Sequence, residues 1–173
     1  MAETMSRDSL ELNDLERPRL TTTLNVLTIL TFIGCAIQLL SSIWSFITAE
    51  ETYRNKDKLI EQMNSGEMPE FAKKMMGDPA QFDALITASY ENRIPILLIG
   101  VISITLCFWG ALQMRKLKKQ GYLIYVIGEL MPFLSMALFI GGVAFSGAGF
   151  YISAAIAILF ILLYTSQRKH LVY

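Results

Sequence analysis

Four long apolar runs, separated by polar segments, dominate the 173-residue chain. They occupy Thr22 to Thr48, Ile94 to Met114, Gly121 to Ile140 and Gly149 to Tyr164, and Glu129 is the one charged residue inside them. A helix rises about 1.5 Å per residue and the hydrocarbon layer of a bilayer is about 30 Å thick, so roughly 20 apolar residues cross it. Backbone N–H and C=O groups have no partner in lipid except one another, which makes such segments helical. The pattern therefore predicts an all-α protein, an integral membrane four-helix bundle with spans over 22–48, 94–114, 121–140 and 149–166. A tail (1–21), a long loop (49–93), a basic loop (115–120), a short loop (141–148) and a second tail (167–173) complete the chain.

The long loop reads as helices, because strand-like alternation is absent and helix formers dominate it. Glu50 to Asn64 can extend the first span into solvent, with a stop at Ser65-Gly66. Pro69 and Pro79 stand near the starts of two further helices, and Asp78 before Pro79 is suited to cap the second. Their apolar residues, Met68, Phe71, Met75 and Met76, then Phe82, Leu85, Ile86 and Tyr90, recur at helical spacing and are expected to fold over the mouth of the bundle. Ser9 to Arg17 in the first tail is either a short interfacial helix or a solvated tail. Its acidic face, repelled by anionic lipid, favours the tail.

Composition agrees with a place in lipid: 53% of residues are hydrophobic and mean hydropathy is +0.44. Net charge is formally zero, which gives no reason to expect a nucleic-acid partner; the lipid bilayer and other membrane subunits, or further copies of the chain, are the partners expected. The distribution of charge informs more. Arg115, Lys116, Lys118 and Lys119 crowd the basic loop, Arg7, Arg17 and Arg19 precede the first span, and Arg168 and Lys169 come after the fourth. The long loop holds six basic and nine acidic residues. Since short Lys/Arg-rich segments stay on the cytoplasmic side, both ends and the basic loop are expected there, with the long loop outside, periplasmic in a bacterium. The first run is about twice as long as the 7–15-residue core of a signal sequence, and the segment preceding it is mixed in charge, so it is read as a span.

An ionisable group inside a span costs several kcal/mol unless it is neutral, paired or hydrated, which singles out Glu129. It comes directly after Gly128 and precedes Pro132, whose ring removes the amide that would bond the Gly128 carbonyl. Glu129 lies about 12 Å along the helix from Gly121. Thr31, Thr105 and Trp109 fall at comparable depth, and Tyr125 stands one turn earlier, so these four are its candidate partners; Gln38 is too far out for contact. One reading makes Glu129 a proton- or cation-linked transport carboxylate. The other makes it an acid that locks the bundle or pairs with another subunit, and the scarcity of polar lining favours this one.

Small residues recur every four positions at Ser103, Cys107 and Ala111 and at Gly149, Ser153 and Ala157, marking faces where helix backbones approach closely. Cys35 and Cys107 sit singly within spans and read as packing residues, not as a redox pair. Met63, Met68, Met75 and Met76 lack a neighbouring His or Cys and read as packing, not as a soft-metal site, and no cofactor is expected. Trp44, Trp109, Tyr122 and Tyr164 fit an aromatic belt. The single histidine, His170, lies in the second tail, and no nucleophile, metal-ligand or phosphate-binding motif occurs, so no catalytic residue is assigned.

Leu112 to Tyr122, with Ile124-Tyr125 and Ile127-Gly128-Glu129 after it, resembles the helical hairpin of small, uncharacterised four-span bacterial membrane proteins. That resemblance implies an inner-membrane location and carries no activity. Small multidrug transporters share the size and a lone membrane glutamate, but theirs is in the first span. Quinone-linked disulfide proteins and claudin-like proteins need paired loop cysteines, which this chain lacks. The expected role is a non-enzymatic accessory or structural subunit, with a small proton-coupled transporter as the alternative.

Overall fold

The computed structural model describes residues 20–65, 69–145 and 147–173; the expectations for Ser9 to Arg17, Gly66, Met68 and the side chain of Met75 lie outside the described residues. Seven α-helices succeed one another among the described residues: α1 (Thr22–Arg54), α2 (Lys56–Ser65), α3 (Glu70–Met76), α4 (Pro79–Glu91), α5 (Arg93–Arg115), α6 (Lys119–Phe139) and α7 (Ala148–Gln167). Short 3-10 turns at Gly141–Phe145 and Arg168–His170 complete their regular structure, and none of it is strand. The protein is all-α.

Four of these helices, α1, α5, α6 and α7, are long and apolar enough to cross a membrane, and only 11% to 28% of their most apolar windows is buried within the protein. So much outward apolar surface is unfavourable in water and suited to lipid. At 33 residues α1 measures about 50 Å, longer than any bilayer core, and its last turns stand in the loop layer. Asn55 ends it, and α2 sets off from the break.

The centre of the bundle is the α5–α6 hairpin. Gly121, Gly128 and Ser135 recur every seven residues, two helical turns, and all three are buried with Tyr125 between them. Facing them, Ser103, Cys107, Gly110, Ala111 and Met114 form the buried stripe of α5. A Cβ on Gly110 would lie 2.6 Å from the Tyr125 amide nitrogen and one on Gly128 would lie 2.8 Å from the Cys107 sulfur, so the two backbones touch where only glycine fits. α1 packs on the other side of α5 through Leu24, Leu27, Thr28, Thr31 and Cys35. α7 is seated more thinly; Ala157 and Tyr164 are its buried residues.

The basic turn is fastened by the last residues of the chain. Leu117 adopts φ +58°, a left-handed conformation that costs a side-chain-bearing residue roughly 1–2 kcal/mol. Its carbonyl accepts from the amides of Val172, at 2.9 Å, and Tyr173, at 3.1 Å, while Tyr173 in turn accepts from the Lys119 amide. Leu117 and Leu171 are both buried in this junction. On the same side the Tyr122 and Thr165 hydroxyls share a 2.8 Å hydrogen bond and Thr21 donates to Gln167 at 3.2 Å, tying α6 and α1 to the end of α7.

At the opposite end the loop helices are clamped on the bundle by a column of side chains. Lys56 lies over the ring of Tyr53 at 5.1 Å, Tyr53 stacks on Tyr90 with centroids 4.4 Å apart, and Arg93 covers the far face of Tyr90 at 4.6 Å. Cations on aromatic faces and offset ring pairs are each favourable. Lys56 also bonds Asp83 at 2.7 Å, which pushes its ammonium above the ordinary lysine value. Asn92 donates to the carbonyls of Ala88 and Phe139, joining α4 to the end of α6. Asp78 caps α4 by accepting from Ala80 at 2.9 Å.

Candidate functional site

Glu129 sits on α6, half-buried, at the level where all four long helices contribute a polar group. Cys107 of α5 donates to its carboxylate at 3.6 Å, and the Tyr125 phenol, one turn earlier on α6, addresses the same carboxyl. Tyr125 packs at 4.6 Å, ring to ring, on Tyr164 of α7, whose hydroxyl shares a 2.7 Å hydrogen bond with Thr31 of α1. Cys35, one turn on from Thr31, turns its thiol toward the Ile104 carbonyl at 3.9 Å.

The carbonyl left without its helical amide by Pro132 is met from across the hairpin. Ser103 donates to the Gly128 oxygen at 2.8 Å in a buried contact. In a low-dielectric interior an unmatched carbonyl is expensive, and a serine at this one position of α5 supplies the missing donor while staying small enough for the close approach. Pro132, three residues from Glu129, and the serine opposite it form one device.

The structure divides the four partners expected for Glu129. Tyr125 addresses it directly. Thr31 belongs to the same cluster, one step removed, with its hydroxyl engaged by Tyr164. Thr105 is exposed and bonds the Val101 carbonyl of its own helix at 2.8 Å, and Trp109 is 54% exposed on the outer face, so neither is brought to the acid. Depth along the helix suggests both, and depth says nothing about which side of the helix a residue takes. Of the small-residue stripes, Ser103, Cys107 and Ala111 are buried in the α5–α6 contact. On α7 the stripe divides: Ala157 is buried, Gly149 is partly buried, and Ser153 is exposed with its hydroxyl on the Phe150 carbonyl.

Two members of the cluster are not evident from the chain alone. Tyr164, assigned by composition to the aromatic belt, is fully buried, and Cys107 is a donor to the acid as well as a packing residue. No local signal marks Tyr164, because an aromatic near the end of a span is equally at home in the interface. The seven-residue spacing of Gly121, Gly128 and Ser135 is readable in the chain and locates the contact face of α6.

A separate cavity of about 740 Å³ opens on the loop side, between the second half of α1, α4, the start of α5 and the end of α6. Its inner end reaches Gly34 and Met136, and its outer end is roofed by Phe82, Tyr90 and Arg93. Among the described residues there is no group of three or more His, Cys, Asp or Glu suited to a metal ion. No family model, curated protein or solved structure matches this chain.

Proposed function

We propose that the chain is a non-enzymatic membrane protein that serves as an accessory or structural subunit of a larger assembly, in a bacterial inner membrane, with both ends and the basic turn in the cytoplasm. The observation that carries this reading is that the polar groups around Glu129 are engaged with one another. Cys107 donates to Glu129 with the Tyr125 phenol beside the same carboxyl, Tyr164 and Thr31 share a hydrogen bond, and Ser103 donates to the Gly128 carbonyl. Polar groups engaged with one another across four helices favour a role in holding the bundle together over one in acting on a substrate. The exterior remains for contact: apolar helix faces in lipid, and a loop layer held rigid by the Lys56–Tyr53–Tyr90–Arg93 column. Phe71 on α3, 75% exposed, is a large apolar ring on that layer.

Gentle detergent extraction of the tagged protein at native abundance, with mass spectrometry of the co-purifying proteins, tests this. A stoichiometric membrane partner recovered in repeated preparations is the expected result. A chain that is always recovered alone would sink the proposal.

A second reading has one observation in its favour. The loop-side cavity descends to Gly34, the residue before Cys35, and so points toward the level of Glu129, as an entry path of a small oligomeric proton-coupled transporter would. Met136 at its floor is seven residues from Glu129, about 10 Å of apolar helix. On the subunit reading Glu129→Gln, which keeps the shape and the hydrogen-bonding oxygen, folds and assembles like the natural chain and leaves proton-driven uptake into vesicles unchanged. Loss of such a flux, with folding intact, would transfer the case to transport.

A further inference from the structure

We propose that the loop-side cavity is a binding site for an anionic phospholipid, with the phosphate on Arg93 and an acyl chain lying along the second half of α1. A lipid held there does not depend on whether the chain joins a larger assembly. A volume of about 740 Å³ falls in the range of roughly 300–1,000 Å³ typical of small-molecule sites. The cavity is elongated: its α1 wall runs from Gly34 to Thr52, about 27 Å of helix. Its lining has an apolar side and a polar side. Ile96 and Leu97 of α5, Met136 of α6 and Ile140 just after it form the apolar side, and at the inner end Gly34 leaves room, since a Cβ at this position would meet nothing within 4 Å. That side is suited to hydrocarbon.

Along the same wall of α1, Gln38, Ser41, Ser42 and Ser45 turn polar groups to the cavity, and α4 adds Ser89 from the other side. None of these five side chains has a hydrogen-bond partner in the protein among the described residues. Polar groups at this depth are costly unless something in the cavity meets them, and the glycerol and ester oxygens of a lipid are acceptors that these donors can meet. A purely hydrocarbon occupant would leave them all unmatched.

Arg93 supplies the charge preference. Its guanidinium lies 4.6 Å from the Tyr90 ring and 6.0 Å from the Phe46 ring, so aromatic faces hold the group in place while its N–H donors have no hydrogen-bond partner among the described residues. The ion pairs among the described residues join Arg54 to Glu50 and Lys56 to Asp83, and no described acid lies within ion-pair distance of Arg93. An unpaired, oriented guanidinium at the rim of an apolar slot is built for bidentate contact with phosphate. Its neighbours in the column keep it from folding away into solvent.

Native mass spectrometry of the full chain in detergent, titrated separately with phosphatidylglycerol, phosphatidylcholine and oleate, tests the assignment. The natural protein is expected to bind phosphatidylglycerol about tenfold more tightly than phosphatidylcholine, a difference worth about 1.4 kcal/mol. Arg93→Gln should erase that preference, and Arg93→Lys, which keeps the charge and loses the fork, should weaken it severalfold. Ser45→Trp, which fills the slot, should reduce binding of both phospholipids. Arg115→Gln, at the far end of α5, should change nothing. Thermal melts in the same detergent confirm that each variant is folded, and Arg93→Lys carries the test should Arg93→Gln not fold. The proposal is overturned if the two phospholipids bind alike, if both Arg93 variants keep the preference, if Arg115→Gln abolishes it equally, or if oleate displaces phosphatidylglycerol at equal affinity.

Discussion

Leucine in place of Gly110 is expected to prevent the α5–α6 hairpin from closing and to leave little folded protein in detergent, and alanine there should already lower stability by about 1–3 kcal/mol, the usual range for overpacking. The reason is geometric. A Cβ at Gly110 would lie 2.6 Å from the Tyr125 amide nitrogen and 2.8 Å from the Gly121 carbonyl oxygen, both backbone atoms that no rotamer change can move aside. In apolar solvent the hairpin has no hydrophobic gain to offset the separation, because helix association there depends on close contact and interhelical hydrogen bonds. Gly34→Ala is the control: with nothing within 4 Å of its Cβ, it should be neutral or slightly stabilising, since alanine favours a helix over glycine by up to about 1 kcal/mol. Equilibrium unfolding in mixed micelles, read by far-UV circular dichroism, measures both. Equal behaviour of Gly110→Ala and Gly34→Ala would show that the backbones do not meet as described.

Removing the Ser103 hydroxyl is expected to cost about 1–3 kcal/mol, the penalty for a buried acceptor left without a donor. Replacing Pro132 by alanine should cancel most of that loss, since an amide at position 132 can reach the Gly128 carbonyl along the helix. The pair therefore makes a double-mutant cycle with a sign: Ser103→Ala harmful alone, and much less so in the presence of Pro132→Ala. Additive losses would mean that the 2.8 Å contact contributes packing and nothing more. The cycle also bears on Glu129, which lies three residues from Pro132. Where the hairpin relaxes, Cys107 and Tyr125 no longer converge on the carboxyl.

The four long apolar helices, the Asp78 cap of α4 and the place of Pro132 inside α6 are legible in the chain, because each depends on residues close in sequence. Run length decides what crosses a bilayer, Asp78 bonds an amide two residues away, and a proline removes a bond within its own helix. The isolation of Glu129 is legible for the same reason, as a single charge within a long apolar run. Which residues surround it is not. Thr105, Trp109 and Cys107 are neighbours on one helix, and only the rotation of α5 against α6 selects Cys107.

That rotation is set where glycine permits it, at Gly110, Gly121 and Gly128. The tertiary structure thereby places Ser103 opposite the orphaned carbonyl and draws Tyr164 inward to Thr31, away from the interface. The column of Lys56, Tyr53, Tyr90 and Arg93 is likewise beyond sequence reading, since its members come from four helices. Hydropathy is a sum along the chain and survives without coordinates. A hydrogen bond between spans depends on direction, and in a uniformly apolar helix nothing in the sequence says which way a side chain faces until another backbone comes within reach.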